Sequence, residues 1–240
     1  MKWPILLLAA GAVAAAEPRR SGYQDMAPST QALQDDDSQN PAMLWVQDGE
    51  QRFAADCQRC HEPPTLRGVA ARYPAWDARL GQPVTLAARI NLCRQRHVKA
   101  PPLVAESDAL LALEAYVARQ SRGLPIVPDA EPRTAPFRED GRRLFTQRIG
   151  QLGFSCAMCH DDNAGKRLAG SLIPQGHPTG YPIYRLEWQG MGSLQRRLRG
   201  CLSGVRAEPF AYGSDDYMKL ELYLKTRAAG MAVDSPGVRP

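Results

Sequence analysis

What the chain lacks narrows the field first. Beyond residue 16 no apolar run reaches the length of a bilayer-spanning helix, so nothing past the N-terminus is expected to cross a membrane. The formal net charge is a mild +5, and the arginines are scattered, with no basic tract interleaved with aromatics. That argues against a nucleic-acid surface. Cysteine and histidine are not clustered densely enough for a structural zinc site. No methionine occurs between Met43 and Met158. The first half therefore offers a metal centre no methionine sulfur beyond residue 43.

What is present begins with an address. Residues 1–16, MKWPILLLAAGAVAAA, combine a lysine, a short apolar core and terminal alanines. This is the layout of an export signal, with cleavage expected before Glu17 and the mature protein in the periplasm. Residues 17–41, rich in Ser, Gln, Asp and Pro, read as an irregular leader. Two domain-sized blocks follow, 42–124 and 137–235, joined by a connector over 125–136. Pro125, Pro128, Pro132 and Pro136 are expected to exclude a regular helix from that connector.

The blocks look like copies. Asp48-Gly49 and Phe53 stand before one CxxCH motif as Asp140-Gly141 and Phe145 stand before the other. A further cysteine follows each motif, Cys93 at 32 residues beyond His61 and Cys201 at 41 beyond His160, each with an arginine four positions earlier, Arg89 and Arg197. The closing segments Ser107–Gly123 and Ser214–Gly230 agree at six of seventeen positions without a gap. Partial matches in one order point to internal duplication. Apolar residues in those closing segments recur at helical spacing, with Gly123 and Gly230 where C-terminal caps belong, and Gln82–Cys93 has the same character. The expected fold is mainly α, with two cytochrome c-like domains.

Cys57-Gln-Arg-Cys60-His61 and Cys156-Ala-Met-Cys159-His160 are haem c attachment motifs: the thiols reach the vinyl positions and the histidine lies under the iron. Two covalent haems are therefore expected, with His61 and His160 as axial ligands. Each block here is small enough that an attached haem would complete its core. For the first haem the remaining axial candidates are Cys93 and His97; for the second they are Cys201, His177, Met191 and Met218. A disulfide between Cys93 and Cys201 is the structural alternative. A thiolate ligand would lower the reduction potential and suit sulfur chemistry better than generic electron shuttling. Arg196, Arg197, Arg199 and Arg206 crowd around Cys201. Guanidinium groups lower a thiol pKa and bind oxyanions, so this region reads as a pocket for a sulfur oxyanion beside a nucleophilic sulfur.

These residues resemble a known family. RxxxCxxxxRAEPF (Arg197–Phe210), LExYLxxRxxG (Leu220–Gly230), ARINLCR (Ala88–Arg94) and both CxxCH motifs are similar to the diheme SoxA subunits of the SoxAX cytochromes, L-cysteine S-thiosulfotransferases. The resemblance implies a heterodimer with a SoxX-type monohaem cytochrome c. It implies that thiosulfate is joined oxidatively to a cysteine of a SoxY-type carrier, itself bound to SoxZ, with two electrons released. It further implies that Cys93 ligates the first haem, that Cys201 ligates the second and is found as a persulfide, and that Arg197 and Arg227 serve the substrate site. Arg206 would position groups or bind the anion. The competing classes are a passive diheme electron carrier and a structural haem-binding subunit.

Overall fold

In a computed structural model of the chain, residues 18–240 are described, so the export signal at 1–16 lies outside the described residues. None of the helices among them is long and apolar enough to cross a membrane. The fold is mainly helical and consists of two lobes. In the first, α2 (Met43–Asp56) crosses α4 (Asp108–Arg119); in the second, α5 (Ala135–Thr146) crosses α8 (Asp215–Arg227). The crossings are built alike. A Cβ on Gly49 would lie 2.0 Å from the Ala112 carbonyl oxygen, and one on Gly141 would lie 2.1 Å from that of Lys219. Only glycine allows such close approach of the backbones. Ser107 and Ser214 cap α4 and α8 by accepting from the Leu110 and Tyr217 N–H groups, and acidic residues follow in each first turn.

Between each crossing pair lies a hairpin and a helix carrying the extra cysteine. Strands β1 (Ala75–Asp77) and β2 (Gln82–Val84) lead into α3 (Leu86–Cys93). Strands β5 (Ile183–Arg185) and β6 (Gly190–Gly192) lead into α7 (Leu194–Gly204). Thr85 and Ser193 cap these helices in the same way. The motif helix α6 (Cys156–His160) and a minimal hairpin, β3 (Arg167–Leu168) with β4 (Ser171–Leu172), precede the second unit. Helix is thus absent from Gln82–Val84, where the spacing predicted it: Pro83 and the capping Thr85 hold that stretch extended.

Several boundaries differ from expectation. The leader is not wholly irregular, because α1 (Pro28–Asp35) packs against β7 (Gly237–Arg239), with buried Gln34 accepting from the Val238 N–H at 2.9 Å. Helix α5 starts inside the expected connector, with Pro136 in its first turn, where a missing N–H costs nothing. Strand β7 lies past residue 235 and pairs in parallel with β5. Gly123 and Gly230 stand three or more residues beyond their helices, in left-handed turns (φ +80° and +81°).

Those glycines open two segments that join the lobes. Gly123 N–H donates to Val233 and Gly230 N–H donates to Ile126, both at 2.8 Å; Ile126 N–H donates to Met231 and Val233 N–H to Leu124. Each bond has its counterpart when the lobes are exchanged, so the junction has local two-fold symmetry. Ile126, Val233, Ala71 and Ala228 form a small core beneath it. The lobes also interlock through Tyr184, Met191 and Val238, which pack into the core of the first lobe beside Phe53 and Leu113.

Candidate active site

The second motif is wound into helix. Ser155 caps α6 by accepting from the Met158 N–H at 3.2 Å, which presents Cys156, Cys159 and His160 together. His160 Nδ1 lies 2.7 Å from the Pro174 carbonyl, a contact that needs the proton on Nδ1 and leaves Nε2 bare for a metal. Gly176 is left-handed (φ +70°), and its missing side chain lets that loop lie against the imidazole. Helix α7 brings Cys201 to the same place. Burial pushes the Cys201 thiol up, but its closeness to His160 and the charges of Arg197 and Arg185 outweigh it, so its pKa falls below the ordinary thiol value. Cys156 lacks such help; burial and the neighbouring Cys201 push it up to about 11.

Cys156, His160 and Cys201 line a cavity of about 390 Å³. Its walls include Phe145, Leu194, Leu198, Leu220 and Leu224, and Arg197, Arg185 and Arg239 reach into it. An attachment thiol in the wall with Cys159 one turn along the same helix, a histidine, a further sulfur donor and apolar walls fit haem c. All six cysteines are free, and Cys201 and Cys93 belong to different lobes, so the disulfide alternative is not found. Of the other axial candidates, Met191 and Met218 are buried away from this cavity, and His177 lines it with Nδ1 held 2.9 Å from the Arg20 carbonyl.

The arginines divide sharply. Arg197 lines the cavity and makes no ion pair among the described residues. Arg196 stacks on Trp188, 4.3 Å from the ring centre, and Arg199 donates to the Phe210 carbonyl and stacks on Tyr212. Arg206 is exposed at the end of α7, at φ +55°, and does not line the cavity. Arg227 does not line it either: it donates to Asp161 at 2.5 Å and stacks on Phe145 at 4.6 Å, bracing the residue next to His160. Arg185 and Arg239 were not singled out by the sequence, since neither lies near a cysteine in the chain.

The first motif is set differently. Cys57–Cys60 form a turn after α2, and Cys60 and His61 are exposed. Cys93, the last residue of α3, lies near Cys57: burial, Asp56 and Cys93 push the Cys57 thiol up against the opposing charge of Arg94. His97 is exposed in a wide turn after α3, and its carbonyl accepts from Arg59 at 2.9 Å.

Comparison with known proteins supplies the family. The model of the SoxA/TsdA cytochrome c domain matches residues 42–126 and 140–233. The chain belongs to the SoxA/TsdA cytochrome c family. It is 34% identical over 229 residues to the L-cysteine S-thiosulfotransferase subunit SoxA of Pseudaminobacter salicylatoxidans, covering 91% of this chain and 80% of that protein. The SoxA of Allochromatium vinosum is 39% identical over 181 residues, 73% of this chain and 64% of that protein. A crystal structure of SoxXA from P. pantotrophus superposes with a TM-score of 0.89 at 34% identity, covering 92% of this chain and 87% of that one. The resemblance to SoxA read from the motifs therefore extends over most of the chain, and the cytochrome c fold carries haem c.

Proposed function

We propose that this chain is the catalytic subunit of an L-cysteine S-thiosulfotransferase, conjugating thiosulfate oxidatively to a cysteine of a SoxY-type carrier. The observation that carries this reading is geometric: Cys201, a half-buried sulfur, shares one cavity with His160 and with Arg197, which makes no ion pair among the described residues. In the reaction one S–S bond forms between the carrier cysteine and the sulfane sulfur of thiosulfate. The thiol proton and two electrons leave. Haem c held beside Cys201 would supply the one-electron redox chemistry for their removal, with a SoxX-type partner cytochrome as the acceptor. The chain's own residues do the rest. Arg197 holds the sulfonate oxygens, Cys201 presents sulfur to the reacting sulfane, and the apolar walls exclude bulk water. Arg227 steadies the motif helix through Asp161.

The same reading assigns two covalent haems: Cys57, Cys60, His61 and Cys93 would hold the first, and Cys156, Cys159, His160 and Cys201 the second. It assigns an origin by duplication, supported by the paired glycine contacts and the two-fold junction, with 125–136 as the link between domains 42–124 and 137–235. It assigns a periplasmic location, a SoxX-type heterodimer partner and SoxYZ as the protein substrate. The test is direct: the heterodimer is mixed with thiosulfate, a reduced carrier and an oxidised acceptor cytochrome, and intact-mass analysis follows the carrier. Gain of one thiosulfate group, with two acceptor haems reduced per carrier, is the expected result. Acceptor reduction without conjugate would instead mark a passive electron carrier.

A further inference from the structure

The hairpin–helix units of the two lobes align without a gap. Tyr73-Pro74 matches Tyr181-Pro182, Thr85 matches Ser193, Arg89 matches Arg197, and Cys93 matches Cys201. On the same register Asp77, the last residue of β1, matches Arg185, the last residue of β5. Two positions have reversed their charge, Asp77 to Arg185 and Arg79 to Glu187.

The consequence is visible in each lobe. Buried Asp77 takes ion pairs from Arg89 at 2.7 Å and Arg96 at 3.1 Å, and accepts from the Arg79 and Leu80 N–H groups. Its burial would raise its pKa, but these donors hold it at about 2. In the first lobe, then, the arginine four residues before the cysteine is neutralised from within the protein. In the second lobe the matching place holds a second guanidinium. Arg185 lines the Cys201 cavity with Arg197, and its side chain is only 14% exposed. Glu187 Oε1 lies 2.8 Å from Arg185 Nε, but the Nε is buried without a hydrogen bond, and Glu187 is itself half exposed. Burial and the charge of Arg197 both work against the ionised form of Arg185. Two sheltered cations side by side are costly unless an anion lies between them.

We infer that Arg185 is a specificity-determining residue, which with Arg197 makes the Cys201 cavity select a sulfur oxyanion of two negative charges. The incoming dianion takes the place that the Asp77 carboxylate fills in the other lobe. Planar guanidinium donors from two directions suit the oxygens of a sulfonate, and the doubled charge favours thiosulfate over monoanions of similar size. This inference rests on the reading that thiosulfate is bound beside Cys201.

The experiment uses the haem-loaded heterodimer and three variants, Arg185→Asp, Arg185→Gln and Arg185→Lys. Two quantities are read: thiosulfate KM against kcat with carrier present, and thiosulfate or sulfate affinity by calorimetry without carrier. Losing one charge-assisted pair predicts that Arg185→Gln raises KM and weakens binding about tenfold, and that Arg185→Asp, which gives Arg197 an internal partner, does so about a hundredfold or more. Both should leave kcat and the haem spectra nearly unchanged, and Arg185→Lys should recover part of the affinity. Wild-type affinity in Arg185→Gln, or a fall confined to kcat, would overturn the inference even if Arg185→Asp failed to fold. Failure of the parent protein to bind or turn over thiosulfate would instead overturn the functional reading beneath it.

Discussion

Cys156–His160 is wound into a capped helix, roofed by the loop from Pro174 to Pro178 and faced by a free guanidinium. Cys57–His61 lies in a turn at the end of α2, with Cys60 and His61 exposed and the neighbouring arginines spent on Asp77 and Asp56. The scaffold around both is the same: a glycine crossing, a hairpin, a capped helix ending near a cysteine. What separates them is furnishing. The first lobe meets the arginine before its cysteine with an internal carboxylate; the second leaves cations and a sulfur facing a cavity. The shared scaffold keeps the geometry, and the lobes part at the few positions where the charge balance differs.

The largest expected difference between the lobes is at their paired cysteines. Cys201→Ser should lower thiosulfate conjugation on the order of 10³-fold or more, as for loss of a nucleophilic centre. Cys93→Ser should alter the visible and electron-resonance spectra of the first haem while conjugation stays near the parental rate. Equal losses in the two variants would end the division of labour between lobes.

The glycine crossings test the opposite claim, that the scaffolds are equivalent. Gly49→Ala and Gly141→Ala each place a methyl about 2 Å from a carbonyl oxygen of the crossing helix, so the helices must separate. Each should cost about 3 kcal/mol or more in urea unfolding of the holoprotein, the upper range for overpacking. A small loss in one and a large loss in the other would show that the crossings are not equally tight.

The same comparison explains what the sequence made legible. The attachment motifs, the cysteine-plus-arginine pairs and the two closing helices were readable because each is local: fixed spacing, a serine cap, an apolar stripe. The hairpins were not, since three-residue strands such as Ala75–Asp77 carry no alternation to detect. Helix α1 escaped because its short, polar sequence is held by Gln34 reaching Val238 and Arg239, contacts more than two hundred residues away. Pro136 was read as a helix breaker when it is a helix starter. Arg227 enters the site reading through resemblance and Arg206 through proximity and resemblance; in the structure Arg227 lies on Asp161 and Phe145, Arg206 is exposed at the end of α7, and neither lines the Cys201 cavity. Arg185 became visible only when the two hairpins were superposed.

A smaller effect separates the two arginines that precede the cysteines. Arg197→Ala removes the unpaired guanidinium and should reduce kcat/KM for thiosulfate about ten- to a hundredfold, with both haem spectra retained. Arg89→Ala leaves Asp77 with Arg96 as its remaining cation, so it should cost about 1–2 kcal/mol of stability and little activity. An activity loss in Arg89→Ala matching that of Arg197→Ala would contradict the assignment of the anion site to one lobe.

The smallest effect concerns a pair of carboxyls brought together by the two-fold. Glu114 of α4 and Glu221 of α8 occupy matching positions and both face a cavity of about 440 Å³ between the lobes, which also receives Glu106, Asp215, Lys225, Tyr73 and Tyr181. Glu221 has local support: Gln195 donates to it at 2.7 Å, and Lys225 lies one turn along the helix. Glu114 has no matching cation, because Ala118 stands where Lys225 stands. Burial, then repulsion by Glu221 and Glu106, raises Glu114 to about 8, and burial raises Glu221 to about 7. A carboxyl raised from an ordinary 4.5 to about 8 keeps its proton in the folded state after the unfolded chain has lost it. Its favourable contribution is complete below pH 4.5 and drains away as pH rises toward 8. The parent protein should therefore melt lower at pH 7.5 than at pH 5.5. Glu114→Gln, which keeps the shape and removes the titration, should flatten that slope and regain about 1–2 kcal/mol at pH 7.5. Glu221→Gln should do less, or lose stability, because Lys225 would be left buried without its nearest carboxylate. Parallel pH profiles for the parent and Glu114→Gln would mean that this carboxyl titrates normally and that the inter-lobe cavity is open to bulk water.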